Sequence, residues 1–392
     1  MTHPITARHL LRGQLAAAVR AGYEVAVACA PGSDLDAVAT EGVVVFPVPL
    51  EREIRPLADL RALGALVSRM RHWRPHVVNA GTPKGGLLGT LAARIAGVPV
   101  RIYTLRGLRL TTATGPTRAI LRSTERLAAA AATRVVAVSL SLAADAVRLG
   151  LAPPAKVTIL GHGASNGVDV ARFAQPDPDA VRALRQRLAL PDGVPVIGYV
   201  GRFTHDKGIA ELVEAFRRIR QRHPEARLLL VGAPEDGDPV DAATLNAIRL
   251  DPAILTPGFL PDPAPAYALL DVLAFPSHRE GFPNVPLEAA AAGLPVVGAR
   301  ATGTVDAVVD GETGTLVPVG DPVALADALD RTLADPDLHQ RHGGAGRARV
   351  EAHFTNEVVW ANLFAEYARL LRAADIEPPV PVDSSALQPV SM

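Results

Sequence analysis

The chain has 392 residues, 48% of them apolar, and balances 40 lysines and arginines against 40 aspartates and glutamates. At about 150 residues per domain this length predicts two domains, and a net charge of zero gives no general basic field for nucleic acid or acidic lipid. The single cysteine, Cys29, makes no internal disulfide and points to a reducing, cytoplasmic location; "MTHPITARHLLRGQ" has no apolar signal core and no run reaches membrane-spanning length.

In chain order, "ARHLLRGQLAAAVRAG" predicts a helix, and "YEVAVAC", "VVVFPV", "HVVNA", "VRIYTL" and "TRVVAVS" predict the strands of a first domain over 1–165. Only "MTHPIT" precedes that helix, too little for the buried strand of about five or six residues that usually opens a parallel domain. The expectation is therefore an apolar strand encoded upstream of Met1. A Gly/Ser/Asn/Asp/Pro-rich stretch, "GHGASNGVDVARFAQPDPDA", predicts an interdomain linker over 166–180. Beyond it, "VPVIGYVG", "ARLLLVG", "VLAFPS" and "PVVGA" alternate with helical stretches such as "ELVEAFRRIRQRH", giving a second domain over 181–353. "NEVVWANLFAEYARLLRAA" predicts a helix over 354–374 that crosses back to the first domain, and the proline-rich 375–392 is expected to be disordered. The alternation makes an α/β protein of two Rossmann-like domains, each a parallel sheet with helices on both faces.

Two loops carry candidate chemistry. In "YVGRFTHDKG" a strand ends at Val200-Gly201 and a helix starts near Gly208, with Arg202 and Lys207 flanking the turn. Backbone amides, a helix N-terminus and two cations suit a phosphate; solvated turn residues are the alternative. Lysine is rare here (Lys84, Lys156 and Lys207 only), which favours a task for Lys207. The second loop, "HREGFPNVPLEAAAAGLPVV", places Glu280 and Glu288 around an irregular turn between a strand and a short helix, with Asn284 the expected N-cap. A carboxylate accepts two hydrogen bonds from a vicinal diol, which fits a ribose at Glu288 and a sugar at Glu280. A first-turn glutamate complementing the helix dipole is the other reading of Glu288.

Other signals point to ordinary structure. The Asp-x-Asp pairs Asp34/Asp36, Asp177/Asp179 and Asp236/Asp238 lie in turn-like contexts. The histidines have no metal-ligand spacing, so no metal site is expected. "ALVSRMRHWRPH" reads as a sheet-packing helix with cations at its carboxyl end, with a membrane-grazing face as the alternative.

Taken together, "GRFTHDKG", "FPSHREGFPNVPLEAAAAGLPVV" and "VDGETGTLV" resemble the GT-B retaining glycosyltransferases of family 4 over most of the chain. The resemblance implies two domains facing across a cleft, closing to exclude water, and a nucleotide-sugar donor, a UDP-sugar above all. Arg202 and Lys207 would hold the diphosphate, Glu280 the donor sugar and Glu288 the ribose. Gly281, Phe282, Asn284 and Val285 would line the same loop, and Gly258 and Phe259 of "TPGF" would face the base. Glu280, Arg202 and Lys207 are the expected catalytic set, with no cofactor and no metal requirement. "TPKGGLLGTLAARIAGVPVRIYTLRGLR" and "LGHGASNGVDVARF" are similar to the bacterial branch that builds capsule, O-antigen and other lipid-linked glycans. Many related enzymes carry a histidine where this chain has Arg106, which stays protonated and suits a phosphate. Lys84, Arg106 and Arg109 are accordingly expected at an acceptor pyrophosphate, with surface charge as the alternative. A lipid-linked acceptor implies peripheral contact with the inner membrane face. The other readings are a soluble secondary-metabolite acceptor, a nucleotide-sugar 2-epimerase sharing the layout, and a non-catalytic nucleotide-sugar binder.

Overall fold

A computed structural model describes residues 1–2, 4–51, 55–235 and 237–380, with Pro4 and His9 described in the backbone only. The chain divides into two units: unit 1 is Met1–Asn166 with Asn356–Met392, and unit 2 is Gly167–Thr355. The final helix, Asn356–Arg372, thus belongs with the first unit. Its Leu371 joins Val100, Ile102 and Val136 in one buried cluster, and the Trp360 indole donates to Asn166 over 2.8 Å.

Unit 1 carries β1 (Ala26–Cys29), β2 (Val44–Pro47), β3 (Val77–Gly81), β4 (Val100–Leu105), β5 (Arg134–Ala137) and β6 (Val157–Thr158). All pairings are parallel, but they form two ladders, β1-β2 and β3-β4-β5-β6. The stretch read as one opening helix is two, Pro4–Leu10 and Gln14–Arg20. Gly13 breaks it at φ 73°, and a Cβ there would lie 2.9 Å from the Trp360 ring, so the close approach of the final helix requires glycine. Helix Pro56–Trp73 turns Ala62 and Leu66 inward, and its Trp73 meets Phe46 edge to face, which is the packing of a sheet-covering helix. Leu57 and Leu60 on its other side are exposed.

Unit 2 carries β7 (Val196–Val200), β8 (Arg227–Val231), β9 (Ile254–Gly258), β10 (Val272–Phe275), β11 (Val296–Ala299) and β12 (Gly314–Val317) in one parallel sheet of order β12-β11-β10-β7-β8-β9. Ile197, Tyr199, Leu228 and Leu230 meet Leu212, Val213 and Phe216 of helix Ile209–Ile219 and Leu325 and Leu329 of helix Pro322–Ala334. β7, β10 and β11 carry no charged or hydroxyl-bearing residue other than Tyr199, as strands covered on both faces require. Asp321 caps the latter helix by accepting from the amides of Val323 and Ala324, with Pro322 at its first position.

Three strands are absent from the sequence reading: β6 is two residues long, β9 contains Pro257, and β12 follows a tight turn at Gly311. The expected linker is not a bare connection, because helix Val170–Ala174 and the start of helix Pro178–Arg187 lie inside 166–180, each capped by the preceding aspartate. The expected disordered tail begins too early. Ile376 is partly buried against the Val100 and Ile102 cluster, and its amide donates to the Leu371 carbonyl. Residues 381–392 of that tail lie outside the described residues.

Candidate functional site

From β7 the chain builds outward to β8 and β9, then returns to lay β10 against the other side of β7. The strand order therefore reverses between β7 and β10, and ligands of open α/β sheets bind beyond the carboxyl ends of strands at such a switch point. The loops after these two strands carry the residues singled out above.

After β7 the chain makes a short 3₁₀ turn, His205–Lys207, and enters helix Ile209–Ile219 through Gly208 at φ 70°. A Cβ on Gly208 would lie 2.4 Å from the Pro276 carbonyl oxygen, so glycine is what lets this loop close against the end of β10. Lys207 Nζ donates to Glu280 Oε1 over 2.5 Å, with only 14% and 16% of the two side chains exposed. Further contacts fasten the same two loops. Arg279 pairs with Asp206 at 2.8 Å, and the His278 amide donates to the Asp206 carbonyl over 2.9 Å. The His278 ring meets Glu211 at 2.9 Å, a hydrogen bond that raises its pKa against the opposing effect of burial. Arg202 behaves differently: it is 58% exposed and pairs with Glu235. Lys207 and Glu280 are held in place, whereas Arg202 reaches from the rim.

Beyond β10, the Glu280 amide donates to the Thr302 carbonyl over 3.1 Å. Gly281 is buried, and the Phe282 ring is spent on the core, 5.4 Å from Phe354. Asn284 does not cap its helix. Pro283 holds the cap position, Asn284 is the first residue of helix Asn284–Ala291, and its Oδ1 is a buried acceptor with no partner among the described residues. Val285 is half-buried beside it. Nor is Glu288 a first-turn glutamate, since it is the fifth residue of that helix and the first turn holds no acid. Its Oε2 accepts the Tyr267 hydroxyl over 2.7 Å, and burial raises its pKa while that bond and Arg172 oppose the shift. At the end of β9, Gly258 takes φ 81° and Phe259 is 65% exposed. Tyr267, Asp206, His278 and Glu235 went unnoticed in sequence. Asp206 and Arg279 are opposite charges in the two quoted loops, but only their proximity in space makes them partners.

In unit 1 the three acceptor candidates follow adjacent strands. Lys84 starts helix Pro83–Ala96 after β3, and Arg106 and Arg109 follow β4. No described contact joins them. Lys84 pairs with Asp59 at 2.6 Å, Arg106 donates to the Ser165 carbonyl over 3.2 Å, and Arg109 is exposed. Burial lowers the Arg106 pKa to about 10.

Asp34 pairs with Arg8, Asp177 caps a helix, and Asp238 accepts the Asp206 amide; Asp236 lies outside the described residues. Among the described residues no three histidine, cysteine, aspartate or glutamate side chains come together so as to hold a metal ion, and no helix is long and apolar enough to cross a membrane.

Comparison with known proteins bears on the family and the fold. Residues 194–335 match the family described as glycosyl transferases group 1, and residues 7–163 match the glycosyl transferase 4-like domain. The chain is 36% identical over 366 residues to the capsular polysaccharide biosynthesis glycosyltransferase CapM of Staphylococcus aureus, covering 93% of this chain and 95% of that protein. It is 30% identical over 314 residues to the alpha-maltose-1-phosphate synthase of Mycolicibacterium smegmatis, covering 76% and 78%. Among solved structures, Anabaena Alr3699/HepE in complex with UDP and glucose superposes with a TM-score of 0.76 at 20% identity, over 94% of this chain and 98% of that one. The sucrose-phosphate synthase of Thermosynechococcus elongatus gives 0.76 at 24% identity, over 94% and 93%.

Proposed function

Starting from a chain that belongs to the GT4-type, GT-B fold glycosyltransferases, we propose that unit 2 binds a UDP-sugar and that the sugar passes, with retention of configuration, to a lipid-linked acceptor in capsule-type polysaccharide synthesis. The observation that carries the reading is the Lys207–Glu280 pair at the β7/β10 switch point, with Glu288 on the helix that follows. Lys207 and Arg202 meet the diphosphate. Glu280 exchanges its lysine partner for sugar hydroxyls, and Glu288, oriented by Tyr267, accepts from the ribose. The unpartnered Asn284 Oδ1 supplies a further acceptor for a donor hydroxyl, and backbone at Gly281, Gly258 and Phe259 frames the rest. Complexes of HepE with UDP and with UDP-glucose support the choice of donor, and the CapM name supports the pathway.

The chemistry follows from the charges. As the glycosidic bond to the diphosphate breaks, negative charge grows on the leaving oxygen, where Lys207 and Arg202 stabilise it. A front-face attack lets that oxygen take the acceptor proton, so built-in cations do the work a metal does elsewhere. In unit 1, Lys84, Arg106 and Arg109 lie beyond the ends of β3 and β4 and receive the acceptor diphosphate. The acceptor places the enzyme at the cytoplasmic face of the membrane as a peripheral protein.

A donor-by-acceptor screen that includes polyprenyl-diphosphate sugars, run with and without EDTA, tests the reading. Transfer to the lipid-linked acceptor, surviving chelation, supports it. Sugar turnover without acceptor points to an epimerase, and binding without turnover to a non-catalytic protein. Activity lost to EDTA and restored by manganese or magnesium overturns the metal-independent mechanism.

A further inference from the structure

After β10 come three consecutive polar side chains, His278, Arg279 and Glu280. Each finds its partner in the turn after β7 or in the helix that follows it: Glu211, Asp206 and Lys207 respectively. The outer pair, Lys207 with Glu280, belongs to the proposed donor site, whereas the other two have no part in it. Asp206 is the harder to account for. It precedes Lys207, where the diphosphate arrives, and an anion there repels a phosphate.

Every polar atom of Asp206 has a partner within unit 2. Its amide donates to Asp238 Oδ2 over 2.9 Å, and its carbonyl accepts the His278 amide over 2.9 Å. Oδ1 accepts the hydroxyl of the buried Thr204 over 2.6 Å, and Oδ2 meets the Arg279 guanidinium at 2.8 Å. Asp206 therefore acts through the residues it holds. Burial works against its charge, yet the Thr204 bond with Lys207, Arg279 and Arg202 keeps its pKa below the ordinary value. Arg279 depends on it in turn, because its Nε is a buried donor with no partner among the described residues.

Donor binding creates the need for such a hold. Lys207 and Glu280 join the two loops directly, at 2.5 Å. When Lys207 turns to a diphosphate and Glu280 to sugar hydroxyls, that bond is gone. Three ties between the loops survive it: Arg279 with Asp206, the His278 amide on the Asp206 carbonyl, and the His278 ring with Glu211. Arg279 and Asp206 are the immediate chain neighbours of Glu280 and Lys207, so their pairing limits how far either can drift. A misplacement of about 1 Å at a reacting site costs roughly a hundredfold in rate.

We propose that Asp206 and Glu211 are positioning residues: through Arg279 and His278 they clasp the loop after β10 to the turn after β7, and the clasp keeps Lys207 and Glu280 at their spacing once the donor has parted them. The inference rests on the donor reading given under the proposed function. In the free protein the clasp duplicates the Lys207–Glu280 bond, so its loss shows only when that bond is broken.

The test follows amide exchange at His278 and Glu280 in the full-length parent, Asp206→Asn, Lys207→Ala and the double variant, with UDP as the probe. An amide side chain has one acceptor oxygen where a carboxylate has two, so Asp206→Asn cannot serve both Thr204 and Arg279. Without UDP, Asp206→Asn is expected to exchange within about twofold of the parent; at saturating UDP it should exchange at least tenfold faster than the parent, roughly. The double variant should exchange that fast without UDP. Glu211→Gln, which cuts the His278 tie and leaves Asp206 intact, should follow the pattern of Asp206→Asn at smaller amplitude, and it decides the matter if Asp206→Asn does not fold. Exchange equal to the parent in both single variants with UDP bound overturns the clasp. So does fast exchange without UDP that UDP does not raise further, which makes Asp206 a residue of general stability only. The donor reading fails separately: if calorimetry finds that the parent does not bind UDP, or that Lys207→Ala binds it as well as the parent, that reading falls and this inference with it, whatever the double variant does.

Discussion

In unit 2 the ladder runs unbroken through six strands, whereas in unit 1 the pairing stops between β1 and β3. The two units also deploy their buried polar groups differently. Unit 2 shares them between loops: Lys207 with Glu280, Asp206 with Arg279 and His278 with Glu211. Each pair ties the end of β7, or the helix after it, to the end of β10. Unit 1 keeps a comparable pair inside its layers, where the Tyr103 hydroxyl donates to Glu125 over 2.5 Å between β4 and helix Gly115–Ala131. The difference teaches where each unit is specialised. A continuous sheet gives a stiff floor on which two loops hold charges at fixed separations, which is what stabilising a short-lived charge distribution requires. Charges sealed inside a layer influence stability and its pH dependence instead.

The sharpest way to break this comparison is Lys207→Ala. It removes a charge-assisted contact at the proposed diphosphate and strands Glu280, so kcat/KM should fall about ten- to a hundredfold, a loss of about 1.5–3 kcal/mol. Arg202→Ala, at the exposed rim, should cost less. Steady-state kinetics with saturating acceptor decide it, and two unchanged variants sink the assignment.

Gly208→Ala probes the floor itself. The added Cβ meets the Pro276 carbonyl, and φ 70° disfavours any side chain. Unit 2 should lose about 1–3 kcal/mol, read as an earlier unit 2 transition in chemical denaturation, while amides of unit 1 keep their exchange rates. Loss of protection in both units would show that the two are not independently stabilised.

Glu125→Gln addresses the sealed pair. Burial raises the Glu125 pKa to about 7 although the Tyr103 bond opposes the shift. The folded unit therefore holds a proton that the unfolded chain releases at an ordinary carboxyl pKa. Stability is greatest below that ordinary value and declines as pH rises to about 7. The melting midpoint should fall between about pH 5 and 8 in the parent and stay flatter in Glu125→Gln; parallel curves count against a buried ionisation.

The smallest effect is expected at Glu288. Burial raises its pKa, so a proposed ribose contact to the carboxylate is lost as pH falls through a value above the usual carboxylate range. Donor KM should rise on the acid side in the parent. In Glu288→Gln it should be several-fold higher near neutral pH, by roughly 1 kcal/mol, and independent of pH there. A variant that loses kcat instead, with an unchanged acid limb, moves Glu288 from ribose binding to the reacting sugar.

Local patterns determined much of this molecule. The apolar runs of "VPVIGYVG", "ARLLLVG" and "VLAFPS" could only be covered strands, and the helices between them forced parallel sheets. The two charged loops stood out because charge and glycine at a strand end break an otherwise apolar rhythm. Properties that depend on residues far apart in the chain escaped that reading. Asn284 looked like a cap until the backbone of Pro283 took that position, and the other reading of Glu288, a dipole-complementing first-turn acid, fell once the helix began at Asn284. Tyr267, 21 residues before Glu288, carries no local mark of its partner. Arg106 was expected at an acceptor pyrophosphate or at the surface, yet it lies against Gly81 and donates to the carbonyl of Ser165, 59 residues further along the chain. Periodicity reports which face of an element is covered, because that depends on the element's own residues. What covers it, and which polar atoms then meet, is fixed only when the layers close.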